Sequence, residues 1–300
     1  MRKKACIIAL IILVATMSLG AQGSREAQTQ QTKPIVAVSI LPQAYFVDKL
    51  AHDLVRTLTL VGEGQNPHSY EPSPSQMAQL SQAELWILSG TEFELVLKDK
   101  ISTLYPNLKV IDGTKNMVFR SLEEYDEHDH HHDEHGMNID RHTWLGWQQA
   151  SALLATTTGA LVSMLAEHEQ VILERGHALQ TQIDTLFISL QSELSELQGT
   201  TVYVYHPSFG YFLDTFGIKQ RAVETGGKEP TARDLASLIA EAKEGGAKII
   251  FVQKQFPVSS ARTVAQAVGA EVVALDPLAY DFLESIKQMG QALLEIRKTL

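Results

Sequence analysis

The sequence predicts an α/β protein of two lobes, each with a mainly parallel sheet, joined by one long helix. Apolar, β-branched runs alternate with helical patterns before residue 113 and again after residue 199, which is typical of parallel sheets covered by helices. Between these regions, apolar residues from Leu179 to Leu197 recur at steps of three and four, as on one helical face. We expect lobes at 34–165 and 199–300 and a linking helix at 166–198.

The N-terminal region contains four predicted strands and four predicted helices. The strands are expected at 35–39, 55–61, 84–88 and 109–112, and the helices at 42–51, 74–82, 91–104 and 147–165. Ser73 before Pro74 indicates a helix start, because serine caps the first turn and proline fits its geometry.

The long helix is expected at 167–197, and Gly199 ends it. At ~1.5 Å per residue, an unbroken helix of this span would be about 45 Å long, enough to join two lobes. The alternation then resumes, with strands at 201–205, 219–223, 248–252 and 271–275 and helices at 232–244, 259–268 and 282–298.

The first residues predict an export signal that is removed from the mature protein. Arg2, Lys3 and Lys4 form a basic start, residues 5–17 are apolar, and residues 18–20 are small enough for cleavage. We expect a signal peptide at 1–20, a flexible polar tether at 21–33 and a periplasmic location. An uncleaved N-terminal anchor is the alternative.

Composition limits the classes of ligand. The formal net charge of −10 becomes −13 once the three basic residues leave with the signal, so the protein is not suited to nucleic-acid phosphates and mildly concentrates cations. The single cysteine, Cys6, lies in the predicted signal, so metal ligands in the mature protein must be histidine or carboxylate. No later segment is apolar enough to predict a membrane span.

Three histidines and one aspartate are the candidate metal ligands. They are His68, His142, His206 and Asp276. His206 and Asp276 directly follow predicted strands, His68 lies in the loop after another, and His142 precedes a helix. Ligands of open α/β sheets gather at the carboxyl ends of strands, and imidazole is the commonest metal ligand. A single histidine would more simply be a solvated or capping residue; the joint pattern predicts a shared metal site, with zinc favoured.

The motifs around these residues resemble those of a known family. They read Asn-Pro-His-Ser-Tyr-Glu-Pro-Ser-Pro at 66–74, Asp-Arg-His-Thr-Trp-Leu at 140–145, Tyr-His-Pro-Ser-Phe-Gly-Tyr-Phe at 205–212 and Leu-Asp-Pro-Leu at 275–278. The chain resembles, over 33–300, the periplasmic solute-binding proteins of zinc and manganese ABC importers, the cluster 9 type. The resemblance implies two α/β lobes joined by a rigid helix and a metal site in the cleft between them. It also implies His68, His142, His206 and Asp276 as ligands, delivery to a membrane permease, a monomer, and no enzymatic activity.

Two positions depart from the family pattern. Arg141 stands where proline usually precedes the second histidine, which leaves the geometry of that loop open. Gln253, Lys254, Gln255 and Phe256 stand where a Glu-Pro-Gln-Phe stretch is common, so one carboxylate at the edge of the cleft is missing. Neither change removes a predicted ligand.

The choice of metal follows from the ligand types. Manganese members of the family tend to carry glutamate where this chain has His206, and three imidazoles favour zinc over manganese. A set of three histidines and Asp276 can also hold manganese, so that alternative stays open. A secreted zinc hydrolase is the remaining alternative, but hydrolysis needs an open coordination position, and four protein ligands would close it. Glu71 is a candidate partner for a ligand imidazole.

A histidine-rich, acidic segment precedes the second ligand. Residues 123–135 contain seven carboxylates and five histidines, a composition typical of a flexible segment that binds metal. The histidines predicted as auxiliary zinc ligands are His128, His130, His131, His132 and His135. The segment resembles the His-rich loop of zinc-specific members of the family. A solvated insertion that holds no metal is the alternative.

Overall fold

A computed structural model describes residues 33–122, 139–222, 224, 232–256 and 259–297. Three predicted segments lie outside the described residues: the signal peptide at 1–20, residues 21–32 of the tether, and the histidine-rich segment at 123–135. The proposed domain boundaries at 165/166 and 198/199 remain a prediction.

The N-terminal sheet has four parallel strands in the order β2-β1-β3-β4. The strands are β1 (Ile35–Val38), β2 (Arg56–Thr59), β3 (Leu85–Leu88) and β4 (Lys109–Asp112), and the helices between them are α1 (Leu41–Ala51), α2 (Pro74–Leu80) and α3 (Glu92–Leu104). The two central strands are buried along their whole length, as parallel sheets covered on both faces require. The predicted cap at Ser73 is confirmed, since its hydroxyl accepts a hydrogen bond from the backbone of Gln76.

The C-terminal sheet repeats this topology, with four parallel strands in the order β6-β5-β7-β8. Its strands are β5 (Thr201–Val204), β6 (Lys219–Ala222), β7 (Ile249–Gln253) and β8 (Glu271–Leu275). In both sheets the strand order reverses beside the first strand, and ligands of such folds bind at that point, outside the carboxyl ends of the strands.

Among the described residues between the two sheets, two α-helices follow each other along the chain. They are α4 (Trp147–Met164) and α5 (Glu169–Glu193). The predicted long helix is confirmed over its central 25 residues, but both ends wind into short 3-10 turns at Ala166–His168 and Ser195–Leu197. Within the described ranges, no single helix is long and apolar enough to cross a membrane; α4 together with 166–193 passes only as a pair bent by 116°.

Helix α5 packs against both lobes. On the N-terminal side, Arg175 forms an ion pair with Asp53 at 2.7 Å. On the C-terminal side, Leu190 lies so close to Gly290 that a Cβ there would come within 2.3 Å of its side chain. Buried apolar residues of both sheets, α5 and the last helix form one contiguous core, which supports the predicted linking role of α5.

The C-terminal lobe also contains α6 (Gly210–Asp214), α7 (Ala232–Glu244), α8 (Ser259–Val268) and α9 (Phe282–Arg297). The lobes meet at the carboxyl ends of their strands. Trp144, from the N-terminal half, donates its indole N–H to the backbone oxygen of Pro277, just after β8, at 2.8 Å. Helix α6 was not predicted, because five residues are too few to display a helical period.

Candidate metal site

Three of the four predicted ligands converge on one point between the lobes. The Nε2 atom of His206 lies 3.0 Å from Nε2 of His68 and 3.3 Å from Nε2 of His142. One ring nitrogen from each residue lies within 4.8 Å of the other two, which is the spacing of ligands around a single ion. The structure therefore brings together three imidazoles that the sequence separates by 64 to 138 positions.

His206 is placed by the end of β5. It follows the strand by two residues and is 5% exposed. Its Nδ1 lies 2.9 Å from a carboxylate oxygen of Glu224, and Gln253 donates its amide to the His206 backbone oxygen at 2.6 Å and to Ser208 Oγ at 2.5 Å. The imidazole is therefore fixed from β6 and β7 before any metal binds.

His142 is placed by a tight turn stabilised by Asp140. One oxygen of that carboxylate accepts hydrogen bonds from the backbone N–H of His142 at 2.9 Å and from its Nδ1 at 2.8 Å. The 3-10 turn Thr143–Leu145 follows immediately. Because Trp144 in this turn bonds to Pro277, the turn rests against the other lobe.

His68 is placed differently, in a short 3-10 turn at Pro67–Ser69. The side chain of Asn66 accepts a hydrogen bond from the His68 backbone at 3.0 Å and begins the turn. His68 Nδ1 lies 3.4 Å from a carboxylate oxygen of Glu92, the first residue of α3. The His68 side chain is 31% exposed, so this ligand forms the solvent side of the site.

Each imidazole thus presents Nε2 to the shared point and Nδ1 to a carboxylate. Histidines that bind zinc commonly have such a carboxylate behind them, which fixes the tautomer and raises the basicity of the ligand nitrogen. The partners are Glu92, Asp140 and Glu224. None of the three was predicted in this role. Asp140 stands two residues before His142 within a motif that the sequence displays, whereas Glu92 and Glu224 lie in other segments of the chain from their histidines. The predicted partner Glu71 is exposed, and the carboxylate beside His68 is Glu92 instead.

Burial lowers the pKa of His206 and of His68, and the carboxylates beside them raise it. Burial lowers the pKa of His206 to about 4, despite the opposing hydrogen bond from Glu224. Burial would also lower the pKa of His68, but the hydrogen bond and charge of Glu92 outweigh it, so this pKa is raised. The pKa of Glu92 falls to about 2 because the hydrogen bond and charge of His68 outweigh its own burial. His206 is therefore neutral and ready for metal at neutral pH, whereas His68 holds a proton more readily.

The fourth predicted ligand does not join the group. One oxygen of Asp276 accepts hydrogen bonds from the side-chain amide of Gln255 at 2.7 Å and from the backbone of Leu278 at 3.1 Å. Within the described residues, the metal-competent group consists of the three histidines without Asp276. A ligand role for Asp276 remains a prediction.

The two departures from the family pattern both lie at the site. Arg141 lines the cavity and donates from Nη1 to the backbone oxygen of Gly90 at 3.0 Å, so it fastens the His142 loop to the loop after β3. Gln253 is 1% exposed. Its amide donates two hydrogen bonds that a carboxylate at this position could not donate.

The cavity at this point is small. Its volume is about 20 Å³, and the three histidines line it together with Trp144 and Gln255. A space of this size holds about one water-sized species. The site therefore suits a single ion. The five auxiliary histidines between residues 128 and 135 lie outside the described residues.

Two parallel-sheet lobes joined by one helix, with convergent histidines between them, define a metal-binding protein of the solute-binding class. The family model of ZnuA, "Zinc-uptake complex component A periplasmic", matches residues 36–296. The chain is 25% identical over 262 residues to the high-affinity zinc uptake system protein ZnuA of Yersinia pestis, covering 81% of this chain and 82% of that protein. The chain therefore belongs to the ZnuA family, and the resemblance read from its motifs is confirmed.

Solved structures agree with this assignment. A crystal structure of ZnuA is 31% identical, with a TM-score of 0.80, and the match covers 88% of this chain and 98% of that chain. A ZnuA deletion mutant crystallised with zinc bound is 32% identical, with a TM-score of 0.78, covering 87% and 97%. The predicted fold of two α/β lobes joined by a helix is confirmed.

Proposed function

We propose that this protein captures zinc outside the cytoplasm through His68, His142 and His206 and delivers it to the permease of an ABC importer. The observation that carries the proposal is the convergence of three Nε2 atoms, each on a ring whose Nδ1 faces a carboxylate. Membership of a zinc-uptake family supplies the transport role. The ion is cargo, so the site must bind it and also release it.

The ligand chemistry supports zinc over manganese. Three neutral imidazoles suit a borderline ion, and nitrogen-rich sites bind zinc well above manganese. A fourth position is left for Asp276 or for a water molecule. Recruitment of Asp276 would complete a tetrahedral shell, which is the closed arrangement of a non-catalytic zinc site, and the protein is then a carrier and not a hydrolase.

We infer export from the basic and apolar start of the chain and assembly with a permease from the family. Residues 1–20 direct the chain to the periplasm and are removed. The mature protein works as a monomer, without a membrane span of its own, and docks on the permease. The histidine-rich segment at 123–135 adds weak zinc-binding positions next to the cleft.

Zinc titration of the mature protein by calorimetry tests the proposal. We expect one tight zinc site in the parent protein, none in a variant with His68, His142 and His206 all changed to alanine, and weaker binding of manganese. A control variant with alanine at His52, His168 and His177, which lie outside the site, matches the number of histidines removed and should bind zinc like the parent. Tight stoichiometric binding by the first variant, or loss of binding in the control alone, would contradict the ligand assignment.

A further inference from the structure

A guanidinium group beside the metal site bonds to side chains of both lobes. Arg120 follows β4 in the N-terminal half, and its side chain is 18% exposed. We propose that Arg120 is a positioning residue that couples the placement of the C-terminal lobe to the orientation of His142. The inference deepens the proposed function of the same site and rests on it.

The first set of contacts leads from Arg120 to the metal ligand. Its Nη1 donates to one oxygen of Asp140 at 2.8 Å, and the other oxygen of Asp140 accepts from His142 Nδ1 at 2.8 Å. Asp140 is fully buried. A buried carboxylate needs a cationic or hydrogen-bonding partner to stay in place. Arg120 is such a partner, so it fixes the carboxylate that fixes the ligand ring.

The second set of contacts leads from Arg120 to the other lobe. Its Nε donates to Asp214, the last residue of α6, at 2.8 Å. Its backbone N–H donates to the hydroxyl of Tyr211 in the same helix at 3.0 Å, and that hydroxyl donates to the backbone oxygen of Asp140 at 2.9 Å. Helix α6 therefore contacts both Arg120 and the segment that carries His142.

A glycine makes room for this arrangement. A Cβ at Gly210, the first residue of α6, would lie 1.8 Å from Nη1 of Arg120 and 2.8 Å from the nearer oxygen of Asp140. Any side chain here would displace the guanidinium. The motif at 205–212 thus supplies two things to the site. His206 is a ligand, and Gly210 leaves room for the Arg120 side chain to reach across the lobe boundary.

The geometry of arginine suits the role. Two different nitrogens of one planar group hold two separate carboxylates, which the single ammonium of lysine cannot reproduce. His206 is held by Glu224 from its own lobe, and His68 by Glu92 from its own lobe. The chain of bonds from Asp214 through Arg120 and Asp140 instead crosses from lobe to lobe. A movement of α6 away from the site would pull on the support of His142 and favour release of the ion.

Zinc release from the mature protein tests the coupling. Zinc-loaded protein is mixed with an excess of a chromogenic chelator, and the dissociation rate is recorded. Groups bonded directly to a metal ligand are typically worth about 10-fold to about 100-fold in affinity. Because Arg120 acts one bond further out, through Asp140, we expect zinc release from Arg120→Met to be faster by about 10-fold, the lower end of that range. Asp214→Ala removes one contact of Arg120 with the other lobe and leaves the bonds of Tyr211, so we expect faster release by a smaller factor.

A second readout separates positioning from a general loss of structure. The visible spectrum of the Co²⁺-loaded protein reports ligand geometry, and we expect it to change in Arg120→Met but to match the parent in Asp214→Ala, where Asp140 still holds His142. Arg120→Lys keeps a cation beside Asp140 but cannot reach both carboxylates, so it should behave like Asp214→Ala. Arg221→Met, which removes an ion pair with Glu241 inside the C-terminal lobe, is the matched control and should release zinc at the parental rate.

The outcomes distinguish this inference from the proposed function. If the parent protein does not bind zinc tightly, the proposed function fails. If the parent binds zinc but Arg120→Met and Asp214→Ala both release it at the parental rate, Arg120 has no positioning role. Should Arg120→Met fail to fold, Asp214→Ala combined with Tyr211→Phe decides, because the pair removes both side-chain contacts of α6 with this segment and leaves Asp140 paired with Arg120.

Discussion

His206 and His68 present the same ring nitrogen to one point, 3.0 Å apart, but the two lobes hold them in different ways. His206 follows a central strand directly, is buried, and has Glu224 at 2.9 Å. His68 sits in a turn beyond an edge strand, is partly exposed, and has Glu92 at 3.4 Å. Burial lowers the pKa of the first, while Glu92 raises the pKa of the second. The C-terminal lobe thus provides a fixed, neutral ligand, and the N-terminal lobe provides one that solvent and protons can reach.

The largest expected effect comes from changing the two carboxylates in parallel. Glu224→Gln removes the charge behind the buried histidine, and Glu92→Gln removes it behind the exposed one. Outer supports of metal ligands are typically worth about 10-fold to about 100-fold in affinity. We expect Glu224→Gln to lie near the upper end, because its contact is short and buried, and Glu92→Gln near the lower end. Zinc affinity by competition with a chelator of known strength measures both.

One control variant checks this comparison. Glu241 is an acidic residue of the same lobe as Glu224, but it pairs with Arg221 and not with a histidine. Glu241→Gln should therefore leave the zinc affinity unchanged. Equal losses in Glu224→Gln and Glu92→Gln would mean that His206 and His68 are held equally firmly, and the distinction between these two ligands would be wrong.

Zinc affinity should depend on pH, and this effect should be smaller than that of changing the carboxylates. Zinc needs neutral imidazoles, so a proton on His68 competes with it. Because the pKa of His68 is raised above 6.5, the affinity should be full well above that value and should fall as pH decreases through it, by about tenfold per pH unit once His68 is protonated. His206, with a pKa of about 4, should contribute only at much lower pH.

The charge of Glu92 should determine the pH at which the zinc affinity begins to fall. In Glu92→Gln the cause of the raised pKa is removed, so burial should lower the pKa of His68 and move the onset of weaker binding to lower pH. Affinity measured at several pH values from 8 to 5 decides this. An onset that does not move in the variant would show that a different group controls the proton competition.

The sequence predicted regular elements better than side-chain geometry. Strand β4 and helices α7 and α8 have the predicted bounds, because their apolar periods and flanking residues are unambiguous. The convergence of His68, His142 and His206 was also predictable, since family motifs surround them and strand ends meet at one edge. The partners Glu92 and Glu224 were not, because nothing in a single sequence pairs a helix start or a strand end with a distant histidine. The hydrogen bond that holds Asp276 to Gln255 belongs to the same class of contact.

The smallest effect on the tight site is expected from deleting residues 126–135. This change removes all five auxiliary histidines and leaves His68 and His206 in place. The flanks of the segment are already joined: Ser121 forms a β-bridge with Ile139, and the backbone of Asp140 donates to that of Arg120 at 3.0 Å. Residues 123–125 and 136–138 remain to connect them, so His142 should keep its position.

Calorimetry on the deleted protein should show the loss of weak zinc equivalents and an unchanged tight site. Zinc held by the segment would lie next to the cleft. Without the segment, we therefore also expect slower loading of the tight site and poorer growth of cells under zinc scarcity. A matched deletion at 22–31, in the predicted tether, removes the same length of polar chain without a histidine. It should change neither the number of weak zinc equivalents nor the rate of loading. If the tight site disappears together with the weak ones, the segment supplies primary ligands, and the assignment of His68, His142 and His206 is wrong. If the weak equivalents persist after the deletion, the auxiliary histidines bind no metal, and zinc reaches the cleft directly past the exposed side of His68.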